Sequence, residues 1–413
     1  MQCKIAIIVL LGILLHTVSP AQKTIQFEHI GFGKLIIRAN QEKKKVMYYF
    51  TGTGCTLCVK MEKQVFTAPE VANFYNTNFI NVESFDDFDK PDSATKRLRR
   101  QFGVISNPTF IFIDSEGNII HKSGYKTTAD FLITGKQAAS KDDNYFAWTK
   151  QFAEGKFNAE PVSKYLSAEQ KERLYAEDGY KCKAGEVLDK YFSSISEQEY
   201  SLPVNWKIIN NYVYNPYSVV FNYLVNNQSL FDRKFGKETI NKKIYDTYHA
   251  AWSGDMGSSA YKTAEKLVLG STHPMARQLV RFVEMDIVSG KLSQEKNSNW
   301  NDFIAQYDAD VISYPYLVNS YLVNDVTKSI CSKKLNDKKE LTSVNRWMKI
   351  ILSLNENEDA DFFALYAKTF YLLGNTTLAI ETQQKAISIS VAADEDKKDV
   401  EAFKKTLASY QHN

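Results

Sequence analysis

The sequence predicts an α/β domain, with a central mixed sheet flanked by helices, followed by an all-α region built like a helical repeat. Three observations predict it. From residue 23 to about 140, short runs rich in β-branched and aromatic residues alternate with helix-patterned stretches. A Cys-x-x-Cys, Cys55-Thr56-Leu57-Cys58, stands where one of those runs gives way to a helix. Beyond residue 140 the alternation stops, and apolar residues recur at three- and four-residue spacings. The expected boundaries are a leader over 1–21, the α/β domain over 22–140, an all-helical domain over 141–340 and a further helical region over 341–413.

The leader reads as an address. Lys4 supplies a positive charge, Ile5 to Leu15 is an apolar stretch, and Ser19-Pro20-Ala21 offers small residues for cleavage before Gln22. The stretch is nearer a signal-peptide core than the roughly 20 residues of a membrane span; an uncleaved anchor is the alternative. Cys3 precedes the apolar run and leaves with the peptide. No comparable apolar segment follows, so the mature chain is expected to be soluble, exported and free of a membrane span.

In the α/β part, a helix is expected from Gly33 to Gln41, then a strand ending at Phe50. Val59 to Phe66 continues the helix opened by the cysteine motif. A new helix is expected at Thr67-Ala68-Pro69-Glu70, with Thr67 as its cap. Asn78 to Ser84 reads as a strand and Ser93 to Phe102 as a helix. Thr109 to Ile113 is a strand, turned by Asp114-Ser115-Glu116-Gly117-Asn118 into Ile119-Ile120-His121-Lys122. A helix from about Thr128 to Ala139 closes the domain. Helices between strands imply parallel pairing, and the final hairpin adds antiparallel strands.

A Cys-x-x-Cys at a strand-to-helix junction suits thiol–disulfide exchange. The first cysteine meets the unpaired N–H groups of the helix start, which favour a thiolate. The second lies one turn on, placed to attack a mixed disulfide. Half of a zinc site or a structural pair are the alternatives, and zinc needs two further ligands that no second Cys-x-x-Cys or Cys/His pair supplies. Neither a metal nor another cofactor is expected. Lys60, two residues beyond, either assists a thiolate or is simply solvated. His121 reads as a surface strand residue with no catalytic part. The acidic run Glu83 to Asp92 lacks the spacing of a calcium loop and reads as solvated.

Motif and order resemble the exported thioredoxin-like family that includes the reducing domains of thiol:disulfide interchange proteins. The matching segments are Phe50 to Glu62, Val65 to Val71 and Phe102 to Phe110. The resemblance implies a cis Asn107–Pro108 bond beside the cysteines. It also implies a substrate groove shaped by Asn107, Pro108, Thr56 and Leu57, with Cys55 attacking and Cys58 resolving. Protein thiols and disulfides are the implied partners, and the periplasm or another exported setting the implied location. The chain departs from the family at three places. Gly54 stands where many members have tryptophan, Thr56-Leu57 replaces Gly-Pro, and Tyr49 replaces a buried aspartate that moves protons.

In the tail, Ser167-Ala168-Glu169-Gln170 fits a capping box, and Ser201 to Trp206 leads into another helix. Helices are expected at roughly 215–226, 237–252, 257–269, 274–289, 298–308 and 313–330. Ala360 to Ser388, with Ala367, Ala379 and Ala386 at small-residue spacing, looks like a tetratricopeptide helix pair, or else an ordinary helical hairpin. This region either docks a protein partner or covers the α/β domain. The whole layout resembles proteins common in Bacteroidetes.

The net charge of +3 gives no reason to expect nucleic acid, and Lys96-Arg97-Leu98-Arg99-Arg100 reads as a solvated helix face. Four cysteines remain after the leader, too few for a disulfide scaffold. Cys182 and Cys331 read as buried thiols or as a disulfide pair. Two functions remain in view: a thiol–disulfide oxidoreductase leaning towards reductase, or a non-enzymatic binding module whose cysteine pair is structural.

Overall fold

The computed structural model describes residues 24–86, 93–169, 183–253, 256–294, 298–333, 337–354, 359–392 and 397–411. The leader, Cys182 and residues 87–92 of the acidic run lie outside the described residues. The chain divides into two compact units, one of Met1–Lys156 with Ser163–Gln170, the other of Phe157–Val162 with Lys171–Asn413.

The first unit runs α1 (Phe32–Glu42), β1 (Lys45–Gly52), α2 (Thr56–Lys60), a π-helical turn (Met61–Val65), α3 (Pro69–Asn78), β2 (Phe79–Asp86), α4 (Ser93–Phe102), β3 (Thr109–Ile113), β4 (Ile119–Ser123), α5 (Thr128–Ala139) and α6 (Tyr145–Ala153). The sheet order is β2-β1-β3-β4. β1 pairs parallel with β2, and antiparallel with β3, which pairs antiparallel with β4. This is the mixed sheet the sequence predicts.

Both faces of β1 are covered, which is why its sequence is an apolar run rather than an alternation. Val46, Tyr48 and Phe50 turn to one side and pack with Leu35 and Ala39 of α1 and Phe102 of α4. Met47 and Tyr49 turn to the other and pack with Cys58, Met61, Val65, Phe110 and Phe131. Rings dominate this second core: Tyr75 stacks on Phe131 at 4.5 Å and Tyr49 on Phe110 at 5.1 Å. Such pairs each contribute about 0.5–1.5 kcal/mol beyond the area they bury.

At several positions the structure departs from the local sequence pattern. Ala68, not Thr67, caps α3, and the Thr67 hydroxyl donates instead to the Lys63 carbonyl at 2.8 Å. His121 is buried, 2 % exposed, because α6 packs over β4; its Nδ1 accepts the Tyr145 N–H at 3.2 Å and its ring meets Trp148 edge-on. Burial pushes its pKa down to about 3. Ser167 does not cap a helix start, since Ser167 and Ala168 end α7 (Ala159–Ala168) and Lys126 donates to the Ser167 hydroxyl at 3.1 Å; the expected helix after Gln170 lies outside the described residues.

The second unit is all-α among the described residues. It runs α8 (Lys183–Ser194), a capping box between Ser196 and Glu199, α9 (Pro203–Tyr212), α10 (Val219–Asn226), α11 (Gln228–Phe235), α12 (Lys237–Ala251), α13 (Ser259–Gly270), α14 (Pro274–Gln294), α15 (Asn301–Ser313), α16 (Ser320–Cys331), α17 (Lys338–Ser353), α18 (Ala360–Leu372), α19 (Thr376–Ala392) and α20 (Lys397–Gln411). α11 was not expected. The single helix expected over 313–330 is broken at Tyr314, since Pro315 opens a short 3-10 turn before Asn319 caps α16 with its own side chain. Ala367, Ala379 and Ala386 are fully buried in the pair α18–α19. Cys331 is a free, buried thiol, and burial pushes its pKa up to about 11. Among the described residues no helix is long and apolar enough to cross a membrane.

Candidate redox site

β1 delivers the chain to the site, and the strand register decides what stands around it. Gly52 lies opposite Asp86 on β2, and Phe50 opposite Thr109 on β3. The end of β2, the cysteine motif after β1 and Pro108 before β3 therefore share one end of the sheet. The Asn107–Pro108 bond is cis, as the resemblance implies.

Two glycines make the approach. A Cβ on Gly52 would stand 2.6 Å from the Asp86 carbonyl oxygen and 2.9 Å from Asn107 Nδ2, so only hydrogen fits there. Gly54 has φ +74°, a conformation that side chains disfavour. A larger side chain at this position would be strained by the backbone.

Cys55 and Cys58 form a disulfide. Cys55 is the N-cap of α2, and its Sγ accepts the Cys58 N–H at 3.1 Å. Cys58 is only 2 % exposed and sits in the core with Met61 and Phe110; Cys55 is half-buried at the margin of the same cluster. Thr56, Leu57 and Val59 are exposed, as is Lys60. Ile105, on the loop into Pro108, is another exposed apolar side chain.

Asn107 is held from the side. Its Oδ1 accepts from Arg99 Nη1 at 2.8 Å, and Arg99 Nε stands 3.6 Å from Asp86 Oδ2. Arg99 is therefore no part of a solvated face, whereas Lys96, Arg97 and Arg100 around it are exposed. Its role was hidden because only the folded loop brings Asn107 back to α4.

Behind the cysteines lies a second polar group. Tyr49, in the core cluster that holds Cys58, donates its hydroxyl to Glu62 Oε1 at 2.8 Å. Burial drives the Tyr49 phenol far above its ordinary range. Glu83, on β2 opposite Tyr49, has its carboxyl pushed up by burial and then by the charge of Glu62, with His29 pulling the other way. Glu62 follows Cys58 by four residues, one helical turn, a spacing that could have singled it out.

Residues 32–139 match the family model described as Thioredoxin-like domain. The disulfide bond reductase DsbH of Chlamydia pneumoniae is 24% identical over 112 residues, which is 26% of this chain and 66% of that protein, just under two thirds of its length. Among solved structures, a DsbH oxidoreductase is 25% identical, covering 30% of this chain and 92% of that one, with a TM-score of 0.27. A putative disulphide-isomerase from Bacteroides thetaiotaomicron is 28% identical over 29% of this chain and 98% of its own, at a TM-score of 0.26.

Proposed function

We propose that the thioredoxin-like domain of this chain is a thiol–disulfide oxidoreductase acting on protein partners, and that it works as a reductase in the periplasm. The observation that carries the reading is the unequal burial of the two cysteines at the start of α2, one half-exposed and one enclosed. Exchange needs this asymmetry. In the reduced protein, the Cys55 thiolate attacks one sulfur of a partner's disulfide, forming a mixed disulfide and releasing the other partner sulfur as a thiolate. Cys58, after losing its proton, then attacks Cys55 Sγ, restores the Cys55–Cys58 disulfide and releases the second partner sulfur. Two electrons pass from the dithiol to the partner, and an upstream dithiol must return them.

The Cys58 N–H that Cys55 Sγ accepts, together with the start of α2, favours the Cys55 thiolate. Pro108 and the main chain of Asn107 form the groove in which an extended partner segment lies. Thr56 and Leu57 contact it, and the exposed Leu57 gives it an apolar surface. The likeness to a disulfide bond reductase supports the direction of electron flow, and the leader-like residues 1–21 support export. The all-helical unit is proposed to dock a protein partner, its α18–α19 pair serving as a tetratricopeptide-like element.

The test is equilibration of the Cys55–Cys58 pair against a glutathione series, with Cys55→Ser as control. A potential near about −270 mV supports a reductase, and one near about −120 mV makes the protein an oxidant. A pair that does not exchange at all removes the enzymatic reading.

A further inference from the structure

On the face of the sheet opposite the cysteines lies a cleft of about 720 Å³ that the exchange chemistry leaves unused. The start of α1 forms one wall. Gly31 caps this eleven-residue helix without any side-chain hydrogen bond, and no acidic residue stands in its first turn. The Leu35 N–H reaches the Gly31 carbonyl, but the N–H groups of Phe32, Gly33 and Lys34 precede the first intrahelical partner. All three residues line the cleft, and side chains at Gly31 or Gly33 would meet only open space. The positive end of a helix dipole thus faces the cavity.

The same cavity is walled by a buried tyrosine. Tyr48 lines it, its ring 6.2 Å from that of Phe32, and is 2 % exposed. Its hydroxyl is buried and has no hydrogen-bond partner among the described residues. Leaving a buried hydroxyl unpaired costs about 1–3 kcal/mol, a cost that an acceptor reaching it from the cleft removes. Burial pushes the phenol up to about 12, which keeps it protonated and able to donate.

The remaining walls define the ligand's chemistry. Lys34, Arg97 and His29 stand at the rim, while Ile30, Phe85 and Leu98 supply apolar surface. Among the described residues Glu83, half-buried on β2, is the one acidic residue of the lining. We infer that this cleft binds a small organic acid with an apolar body: one carboxylate oxygen accepts from the first turn of α1, the other from the Tyr48 hydroxyl, and the body lies against Ile30, Phe85 and Leu98.

The experiment uses the full chain, with 3-phenylpropionate as the probe and its neutral amide, 3-phenylpropanamide, as the comparison. Binding is read from the amide resonances of Phe32, Gly33 and Lys34 and from calorimetry. Saturable displacement of those resonances is expected, with the neutral amide at least about ten-fold weaker and Tyr48→Phe weakening the acid about five-fold. Lys34→Gln weakens it as well. Without ligand, Tyr48→Phe melts no lower than wild type, because the lost hydroxyl had no partner, and it exchanges disulfides at the wild-type rate, showing that the domain is folded. The inference is overturned by any of three results: no saturable displacement up to about 10 mM acid, equal affinity for acid and amide, or unchanged affinity in Tyr48→Phe. A lower melting temperature of ligand-free Tyr48→Phe overturns it too, since the hydroxyl would then be structurally engaged.

Discussion

Arg99 donates to Asn107 across the gap between α4 and the loop before β3, Nη1 to Oδ1 at 2.8 Å. The same guanidinium reaches Asp86, and the side chains of that ion pair are each only 15% exposed. The planar guanidinium donates to Asn107 while its charge stands beside Asp86, a pairing that a lysine ammonium does not reproduce in the same geometry. The residue preceding Pro108 is thereby tied to the end of β2.

Arg99→Met is expected to lower kcat/KM for reduction of a protein disulfide about ten-fold, by loosening the loop that carries Asn107 and Pro108. The reduction potential of the cysteine pair should stay within experimental error of wild type, and Arg99→Lys should fall between the two proteins. Wild-type kcat/KM in Arg99→Met would show that the tie has no part in exchange.

Gly52→Ala places a methyl group against the Asp86 carbonyl and Asn107 Nδ2, both too close to accept it. The backbone of β1 or β2 must shift, so stability should fall by about 1–3 kcal/mol. Exchange should fall with it, because the same shift moves the cysteine loop. Urea unfolding of variant and wild type gives the comparison, and equal midpoints would contradict the packing described.

His121 makes the protein acid-sensitive. Its folded pKa of about 3 lies below the ordinary value near 6.5, so the unfolded chain binds the proton more readily. The stability it contributes is complete above about pH 6.5 and is lost as pH falls towards 3, on the order of a few kcal/mol. His121→Gln, which keeps an acceptor for the Tyr145 N–H, should lack that part of the slope. Parallel pH profiles for the two proteins would rule the effect out.

Glu83 acts with the opposite sign. A raised carboxyl pKa favours the folded state while the group is neutral; that stability is full below its unfolded pKa and lost as pH rises through the folded one. Glu83→Gln should therefore melt higher than wild type at pH 7, with the gap closing towards pH 4. A gap that is constant across this range would show that the carboxyl does not titrate differently on folding.

Cys331 should resist modification. Its buried thiol, with a pKa pushed up to about 11, offers little thiolate at neutral pH. After mild reduction, iodoacetamide at pH 6.5 should label Cys55 first and leave Cys331 intact until the chain unfolds, as peptide mass spectrometry would show. Labelling of Cys331 in the native protein at a comparable rate would contradict its enclosure.

The first unit was legible wherever the signal was local. α4 and β3 occupy the segments that their patterns predict, because Ser93 to Phe102 and Thr109 to Ile113 carry clean helical and strand signatures. The cysteine motif is likewise a contiguous string. Contacts made by distant segments were not legible. His121 looks like a residue of an exposed edge strand until α6 brings Tyr145 and Trp148 over it. Arg99 looks like one more charge in a basic cluster until the chain turns at Gly103 and returns with Asn107. α11 follows α10 after a single residue, Asn227, and no side-chain cap marks its start.

The unequal enclosure of the two sulfurs also decides what oxidants do to the reduced protein. Peroxide meets Cys55 first, since Cys58 is shielded by the core. The sulfenic acid formed there has a thiol one helical turn away; Cys58 condenses with it, water leaves, and the Cys55–Cys58 disulfide returns. The irreversible rungs of cysteine oxidation are thus bypassed, and chemical damage is converted into a disulfide that a dithiol can reopen.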